Sequence, residues 1–334
     1  MKRTVLAFLA LLLILSGCSY PTPSVPTRLP APSVKAAGPT RTPAPSATAS
    51  PAPATPTPTV TLTPTASPIP DAQITCAPGQ AVCILPGHFV FRRPLDASVN
   101  QIVDPTYTYG ATQNGKREPH HGIDFPNKQG TPVYAAGDGQ VVVAGNDKLK
   151  MYGWVTNFYG NLVVIQHPLS GLGGTVYTLY GHLFQVNVQV GQMIKAGDKI
   201  GEVGATGIAI GSHLHVEVRI GSDDYHSTRN PELWLIPLPG TGTLAGRVLD
   251  AQGNPGRTTI TIEHILGDSF INLYPLETYA HETLNGDDVW HENFSAGDLP
   301  AGNYRLSLIY DGVFYAQVVQ VQEGKLTLVT FNVK

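Results

Sequence analysis

The segment His213-Leu214-His215-Val216-Glu217-Val218-Arg219 alternates polar and apolar side chains. A period of two marks a β-strand with distinct faces. Residues i and i+2 of a strand project to one side, roughly 6–7 Å apart along it. His213 and His215 therefore aim at a common point, and both imidazoles reach a single ion or its bound water. Short runs rich in Val, Ile, Thr and Tyr recur at 133–135, 139–144, 162–166, 176–180 and 215–220. Turn signals such as Gly137-Asp138-Gly139 and Ala196-Gly197-Asp198 separate them, and no long helical period interrupts the series. The expected fold class is all-β, with an antiparallel sheet that carries a site on one face.

Two further clusters lie upstream: Pro119-His120-His121-Gly122-Ile123-Asp124-Phe125 and Tyr180-Gly181-His182-Leu183. On a straight strand His120 and Asp124 share a face but stand about 13 Å apart. Two ligands of one zinc ion must each come within about 2 Å of it. The backbone is therefore expected to contract between them, and Gly122 permits this because glycine tolerates bulges and positive φ. A helix would also join i to i+4, but Pro119, Gly122 and the Ile123/Phe125 alternation favour a strand. Two His and one Asp make a three-ligand site whose fourth tetrahedral position is left to water. Zinc lowers the pKa of that water towards ~7 and polarises a substrate carbonyl. A nearby neutral His accepts a proton, and a protonated one stabilises an oxyanion. Spacing alone leaves open which of His213 and His215 binds the metal. His167 reads as structural, and His121 as structural or as a substrate contact. The rival His-Glu-x-x-His pattern is absent: His281-Glu282 and His291-Glu292 both fail at the last position and read as surface residues.

These clusters occur in one order with Gly130-Thr131-Pro132-Val133-Tyr134-Ala135-Ala136, Val164-Ile165-Gln166-His167, Gly204-Ala205-Thr206-Gly207 and Asn230-Pro231-Glu232-Leu233-Trp234-Leu235. From about residue 109 to 235 the chain resembles the lysostaphin/LytM-type zinc metallopeptidases. The resemblance implies a zinc metalloendopeptidase that hydrolyses peptide bonds in peptidoglycan cross-links or stem peptides. It implies His120, Asp124 and His215 as ligands of Zn2+, and His182 and His213 as the catalytic pair. None of these positions is substituted. The alternative is a wall-binding or activator protein that keeps the fold without turnover; a protease for other extracellular proteins is a third reading. Gly-Gly bridges and D-amino-acid stem peptides both fit the family, so the bond cleaved is left open.

The flanks are of different composition. Met1-Lys2-Arg3, an apolar run over 5–15 and Ser16-Gly17-Cys18 describe an export signal, too short for a membrane span. Leu15-Ser16-Gly17-Cys18 resembles a bacterial lipobox, which implies cleavage before Cys18 and a lipid attached to it. Residues 1–18 are thus expected as a lipoprotein signal peptide, and 19–75 as a disordered Pro/Thr/Ala-rich stalk holding about half of the 29 prolines. The protein is expected to be exported and lipid-anchored to the cell membrane, facing the wall or periplasm. Cys76 and Cys83 then remain as an even pair, which an exporting compartment allows to form a disulfide.

Residues 76–236 are expected to form the zinc metallopeptidase domain, with 89–94 as a strand and the aromatic insertion 146–160 either overhanging the groove to contact substrate or packed on itself as a hairpin. After a linker at 237–242, residues 243–334 carry new strand alternation and read as a small β-sandwich. Gly246-Arg247-Val248-Leu249-Asp250-Ala251-Gln252-Gly253-Asn254-Pro255 resembles the opening of transthyretin-like regulatory domains, and a binding or spacer role is expected there. The formal net charge of −3 over 334 residues argues against a nucleic-acid partner.

Overall fold

The computed structural model describes residues 67–68, 80–170, 174–279 and 283–334. The expected signal peptide with Cys18, nearly all of the expected stalk, Cys76 and His281-Glu282 lie outside the described residues. Among the described residues there is no α-helix, only two single-turn 3-10 segments, Tyr225–Ser227 and Pro231–Leu233. The fold is all-β, as the alternation predicts.

The strands between residues 123 and 229 are organised on a seven-stranded antiparallel sheet. Its path runs Met193–Ile194, Gly139–Asn146, Asn161–His167, Val176–Leu183, His213–Ile220 and Thr228–Arg229, with Ile123–Pro126 also paired to His213–Ile220. The segment His213–Ile220 is therefore central and is buried on both faces. Leu214, Val216 and Val218 point into the main core with Ile123, Phe125, Val163, Ile165 and Tyr180. Full burial of each such aliphatic side chain stabilises the fold by roughly 1.5–3 kcal/mol. The opposite face carries His213, His215, Glu217 and Arg219, all buried polar groups that must find partners.

Seven strands from 241 to 332, with Val82–Leu85 as the eighth, form two packed four-stranded sheets. One has the order Phe294–Pro300, Thr241–Leu249, Leu326–Asn332, Val82–Leu85; the other Ser269–Glu277, Thr259–Leu266, Gly302–Tyr310, Val313–Val321. Leu244, Val248, Ile260, Ile262, Tyr304, Leu306 and Phe331 fill the space between them. The strand Val82–Leu85, expected within a 76–236 peptidase domain, is instead the edge strand of this sandwich, antiparallel to Leu326–Asn332. The reason is burial: Cys83 and Leu85 join an apolar cluster that also holds Leu326 and Leu328. Cys83 is disulfide-bonded.

Other expectations are also modified. Residues 89–94 do not form a strand; Phe91 makes a single bridge to Leu235, and the N–H groups of Val90 and Phe91 both donate to the Trp234 carbonyl. Residues 237–242 are not a free linker, because the first sandwich strand begins at Thr241 and the Leu238 N–H donates to Asp298. Within the expected stalk, Ser67–Pro68 lies parallel to Leu169–Ser170, so that short piece is paired.

Candidate metal centre and catalytic groove

Strand register sets the metal centre. In the central strand, His215 faces Asp124 on one neighbour and Gly181 on the other. Asp124 belongs to Ile123–Pro126, whereas His120 precedes that strand, across bends at His121 and Gly122. The contraction expected between His120 and Asp124 is thus achieved by leaving the strand. Gly122 matters for a reason other than the one expected. Its φ is not positive. A Cβ built there would lie 2.4 Å from the Val216 carbonyl oxygen and 2.7 Å from His215 Cε1. Glycine is needed for close approach to the ligand-bearing strand. Gly122→Ala is expected to push that strand or the His215 ring aside, lowering zinc affinity at least about tenfold and destabilising the fold by about 1–3 kcal/mol. Competition titration with a chromogenic chelator measures the first effect; unchanged affinity would contradict this role for Gly122.

The three side chains converge. His120 Nε2 lies 3.2 Å from His215 Nδ1 and 3.4 Å from Asp124 Oδ1, and His215 Nδ1 lies 2.9 Å from Asp124 Oδ1. Ligand atoms at about 2.0–2.1 Å from a tetrahedral zinc stand about 3.3 Å apart, so this set fits the ion. Both histidines are oriented from behind. His120 Nδ1–H donates to the Tyr107 carbonyl at 2.7 Å, and the Tyr107 ring stacks on the imidazole at 4.2 Å. His215 Nε2–H donates to Glu217 at 3.1 Å. Such partners fix ring orientation and raise ligand basicity.

The electrostatics are consistent with a cation site. Burial raises the Asp124 carboxyl, but the facing His120 and His215 hold it well below the usual carboxylate range. Burial alone would lower His215; hydrogen bonds to Asp124 and Glu217 instead raise it to about 9. Zinc must therefore displace a proton from His215 Nδ1, and its affinity falls as pH drops through that range. Burial also raises Glu217, but the Arg219 guanidinium and the His215 imidazole bring it down to about 2. Tyr159 donates its hydroxyl to the same Glu217 oxygen. Glu217 was not singled out by the motif, although its place two residues after His215 on the same strand face is the signal that reveals it.

His182 and His213 flank the triad. The pairing of Asn161–His167 with Val176–Leu183 runs Asn161 to Leu183 and then Val163 to Tyr180, so one extra residue sits on the second strand. That bulge contains His182, whose φ of 59° is left-handed. Such a conformation in a non-glycine residue costs about 1–3 kcal/mol and persists only where surroundings enforce it. Here the His182 N–H donates to the Tyr159 carbonyl and Nδ1–H donates to the Thr206 carbonyl at 2.9 Å. His213 Nδ1–H donates to the Gly211 carbonyl at 3.1 Å, while its Nε2 lies 3.6 Å from Asp124 Oδ1. Both rings are thereby held with Nδ1 protonated and Nε2 available. Their centroids are 4.8 Å apart. Burial, followed by the fields of His215 and His213, lowers His182 to about 3, so it stands neutral. His213 is also lowered, chiefly by burial.

All five residues line one cavity of about 510 Å³. Trp154 and Phe158 of the aromatic insertion, with Ile208 and Ile210, give it an apolar side. The insertion overhangs the groove and also packs on itself, since Phe158 meets Trp154, Tyr159 and Tyr225 edge-on.

His121 and His167 are held by contacts within the fold, and His121 also lines the cavity. His121 stacks on Tyr225 at 3.8 Å, its Nδ1 lying 3.0 Å from both the Tyr225 carbonyl and Thr228 Oγ1. His167 bridges the Asp138 carbonyl and Thr178 Oγ1. Glu292, expected at the surface, is buried; Tyr279 donates to its carboxylate, as does the Asp287 N–H at 2.8 Å.

Residues 118–227 match the sequence profile of peptidase family M23. The chain is 38% identical over 133 residues to the peptidoglycan DD-endopeptidase ShyB of Vibrio cholerae, covering 39% of this chain and 27% of that protein. It is 37% identical over 120 residues to the DD-carboxypeptidase/endopeptidase Mpg of Neisseria meningitidis, covering 36% of this chain and 24% of that one. It also aligns with the catalytic domain of lysostaphin from Staphylococcus simulans at 31% identity, over 37% of this chain and 83% of that domain, with a TM-score of 0.30. The chain spans about a quarter of the length of the curated relatives it matches.

Proposed function

We propose that this chain, whose residues 118–227 carry an M23-type peptidase domain, is a zinc-dependent endopeptidase that hydrolyses peptide bonds in peptidoglycan cross-links or stem peptides. One juxtaposition supports this above all. His120, Asp124 and His215 present ligand atoms at tetrahedral spacing, and two neutral histidines with free Nε2 atoms face the same cavity. The peptidoglycan DD-endopeptidase activity of the Vibrio relative supports peptidoglycan as the substrate, and the endopeptidase activity of the Neisseria relative supports the reaction class.

His120 Nε2, Asp124 Oδ1 and His215 Nδ1 would hold the ion, and zinc when bound supplies Lewis-acid polarisation of the scissile carbonyl and a more acidic water. The chain's own residues do the rest. His182 Nε2 takes the proton from the attacking water and returns it to the leaving amine. His213, its Nδ1–H committed to the Gly211 carbonyl, presents Nε2 to the same cavity, where it would orient the attacking water. Glu217 keeps the His215 ring turned so that Nδ1 faces the metal. The apolar wall from Trp154 to Ile210 excludes water and strengthens each of these interactions.

Residues 1–18 and 19–75 are proposed as a lipoprotein signal and a stalk that gives the enzyme reach from a membrane into the wall; Cys76 is the proposed partner of Cys83. The activity test uses the purified zinc-loaded protein on isolated peptidoglycan. New free amines are expected, lost with a zinc chelator and restored by added zinc. Stoichiometric zinc without turnover on several wall types would favour the non-catalytic activator reading instead.

A further inference from the structure

We propose that the C-terminal sandwich supplies part of the substrate site, a polar subsite for the carboxylate-bearing part of a peptide, contiguous with the catalytic groove. A second cavity, of about 520 Å³, opens between the loop before His120 and the sandwich. Asn114, Arg117 and Glu118 line it from the loop; Arg257, Thr258 and Glu277 line it from the sandwich. Arg117, Glu118 and Pro119 also line the catalytic cavity, so the two spaces share a wall.

The charged groups there are not equivalent. Among the described residues, arginine ion pairs are formed by Arg93, Arg219, Arg229 and Arg305, and neither Arg117 nor Arg257 takes part in one. Arg117 lies 4.9 Å over the Tyr107 ring, which in turn stacks on His120. Glu277 is already committed, because its carboxylate accepts from Thr112 N, Thr112 Oγ1 and Asn114 N. Glu118 is exposed on the shared wall, where it suits the amino group of a peptide. The hydroxyls of Thr112, Thr258 and Thr278 already donate within the protein, so the donors left for a ligand are two guanidinium groups from two domains, and planar guanidinium pairs well with carboxylate.

The crevice has fixed walls. Arg93 pairs with Asp298 at 2.5 Å, Asn230 donates to Ser295 at 2.6 Å, and Ser295 donates to the buried Glu232 at 2.7 Å. His88 and Asp287 lie 2.9 Å apart at full burial, with Trp234 and Trp290 against the imidazole. Leu328, Tyr279 and Trp290 of the sandwich share one apolar cluster with Trp234 and Leu235 of the peptidase region. A preformed crevice spares the ordering cost that a hinged pair of domains would incur on binding.

The identity of the ligand rests on the endopeptidase reading, so the test separates the two. Soluble cross-linked muropeptides, and the same fragments with their carboxyl groups amidated, are titrated by calorimetry into zinc-loaded full-length protein and into Arg257→Glu. Steady-state hydrolysis is measured in parallel. Arg257 is exposed and remote from the zinc ligands in sequence and element, and matching thermal melts check that the variant folds. Arg257→Glu is expected to bind the free-carboxyl fragments about fivefold more weakly, as loss of an exposed charge pair warrants. KM should rise by the same factor with kcat unchanged, and the amidated fragments should not distinguish the two proteins. Equal binding by both proteins, or no binding by the wild type, overturns the subsite. Binding that depends on Arg257 without any hydrolysis keeps the subsite and overturns the endopeptidase reading.

Discussion

His182→Ala and His213→Ala are each expected to retain stoichiometric zinc while losing about 10²–10⁴-fold in kcat/KM, the range for removing a positioned proton-transfer group. His120→Ala, Asp124→Ala and His215→Ala are expected to lose zinc and activity together. The distinction rests on which atoms face the ion. The three ligand candidates turn His120 Nε2, Asp124 Oδ1 and His215 Nδ1 towards one another within 4.8 Å. His182 and His213 instead spend Nδ1 on the carbonyls of Thr206 and Gly211 and present Nε2 from the side. Removing a ligand leaves two protein donors, too few to hold the ion against chelators. Removing a flanking histidine leaves all three. Metal content after dialysis, set beside hydrolysis of isolated peptidoglycan, decides the matter. Zinc released by His213→Ala but kept by His215→Ala would reverse the roles within the His-x-His pair.

Much of this centre was legible because strand periodicity is a local property. The alternation through 213–219 placed His213 and His215 on one face without any knowledge of the neighbours. What the alternation left open depended on contacts distant in sequence. On the face carrying His213, His215, Glu217 and Arg219, the last three are covered by Tyr159 from the aromatic insertion. The sequence points to Gly122 as the place where the backbone bulges or takes positive φ, whereas its role is to admit the Val216 carbonyl, ninety-odd positions on, against its α-carbon. The left-handed turn at His182 has no signal in Tyr-Gly-His-Leu, where the glycine itself would be the natural place for positive φ. The mixed origin of the sandwich was hidden for a similar reason. Val82–Leu85 is a short strand with no partner nearby in sequence, and only its burial against 326–329 assigns it to the far domain.

The largest effect on stability is expected from Arg219→Met. Arg219 is fully buried, and its guanidinium donates to Glu217 at 2.7 Å, to Asp223 at 2.8 Å, and to the Tyr152 carbonyl and Tyr159 hydroxyl at 3.1 Å each. Burial disfavours the charge, yet the nearby Glu217 raises its pKa further. Methionine replaces much of the stem's packing but none of the donors. Glu217 would then be a buried carboxylate whose only cationic neighbour is His215, and breaking one side of such a pair typically costs about 3–5 kcal/mol. The loss should reach the metal centre too. Glu217 is held below its ordinary pKa chiefly by Arg219, so without it the carboxyl rises and accepts less strongly from His215. Urea unfolding of the zinc-free protein measures the stability term, and a zinc titration measures the second. Replacing both members, Arg219→Met with Glu217→Gln, removes the stranded charge and should recover part of the stability but not the orientation of His215. A single Arg219→Met variant as stable as the wild type would mean that water reaches this network, and the buried-pair account of how His215 is held in place would fail.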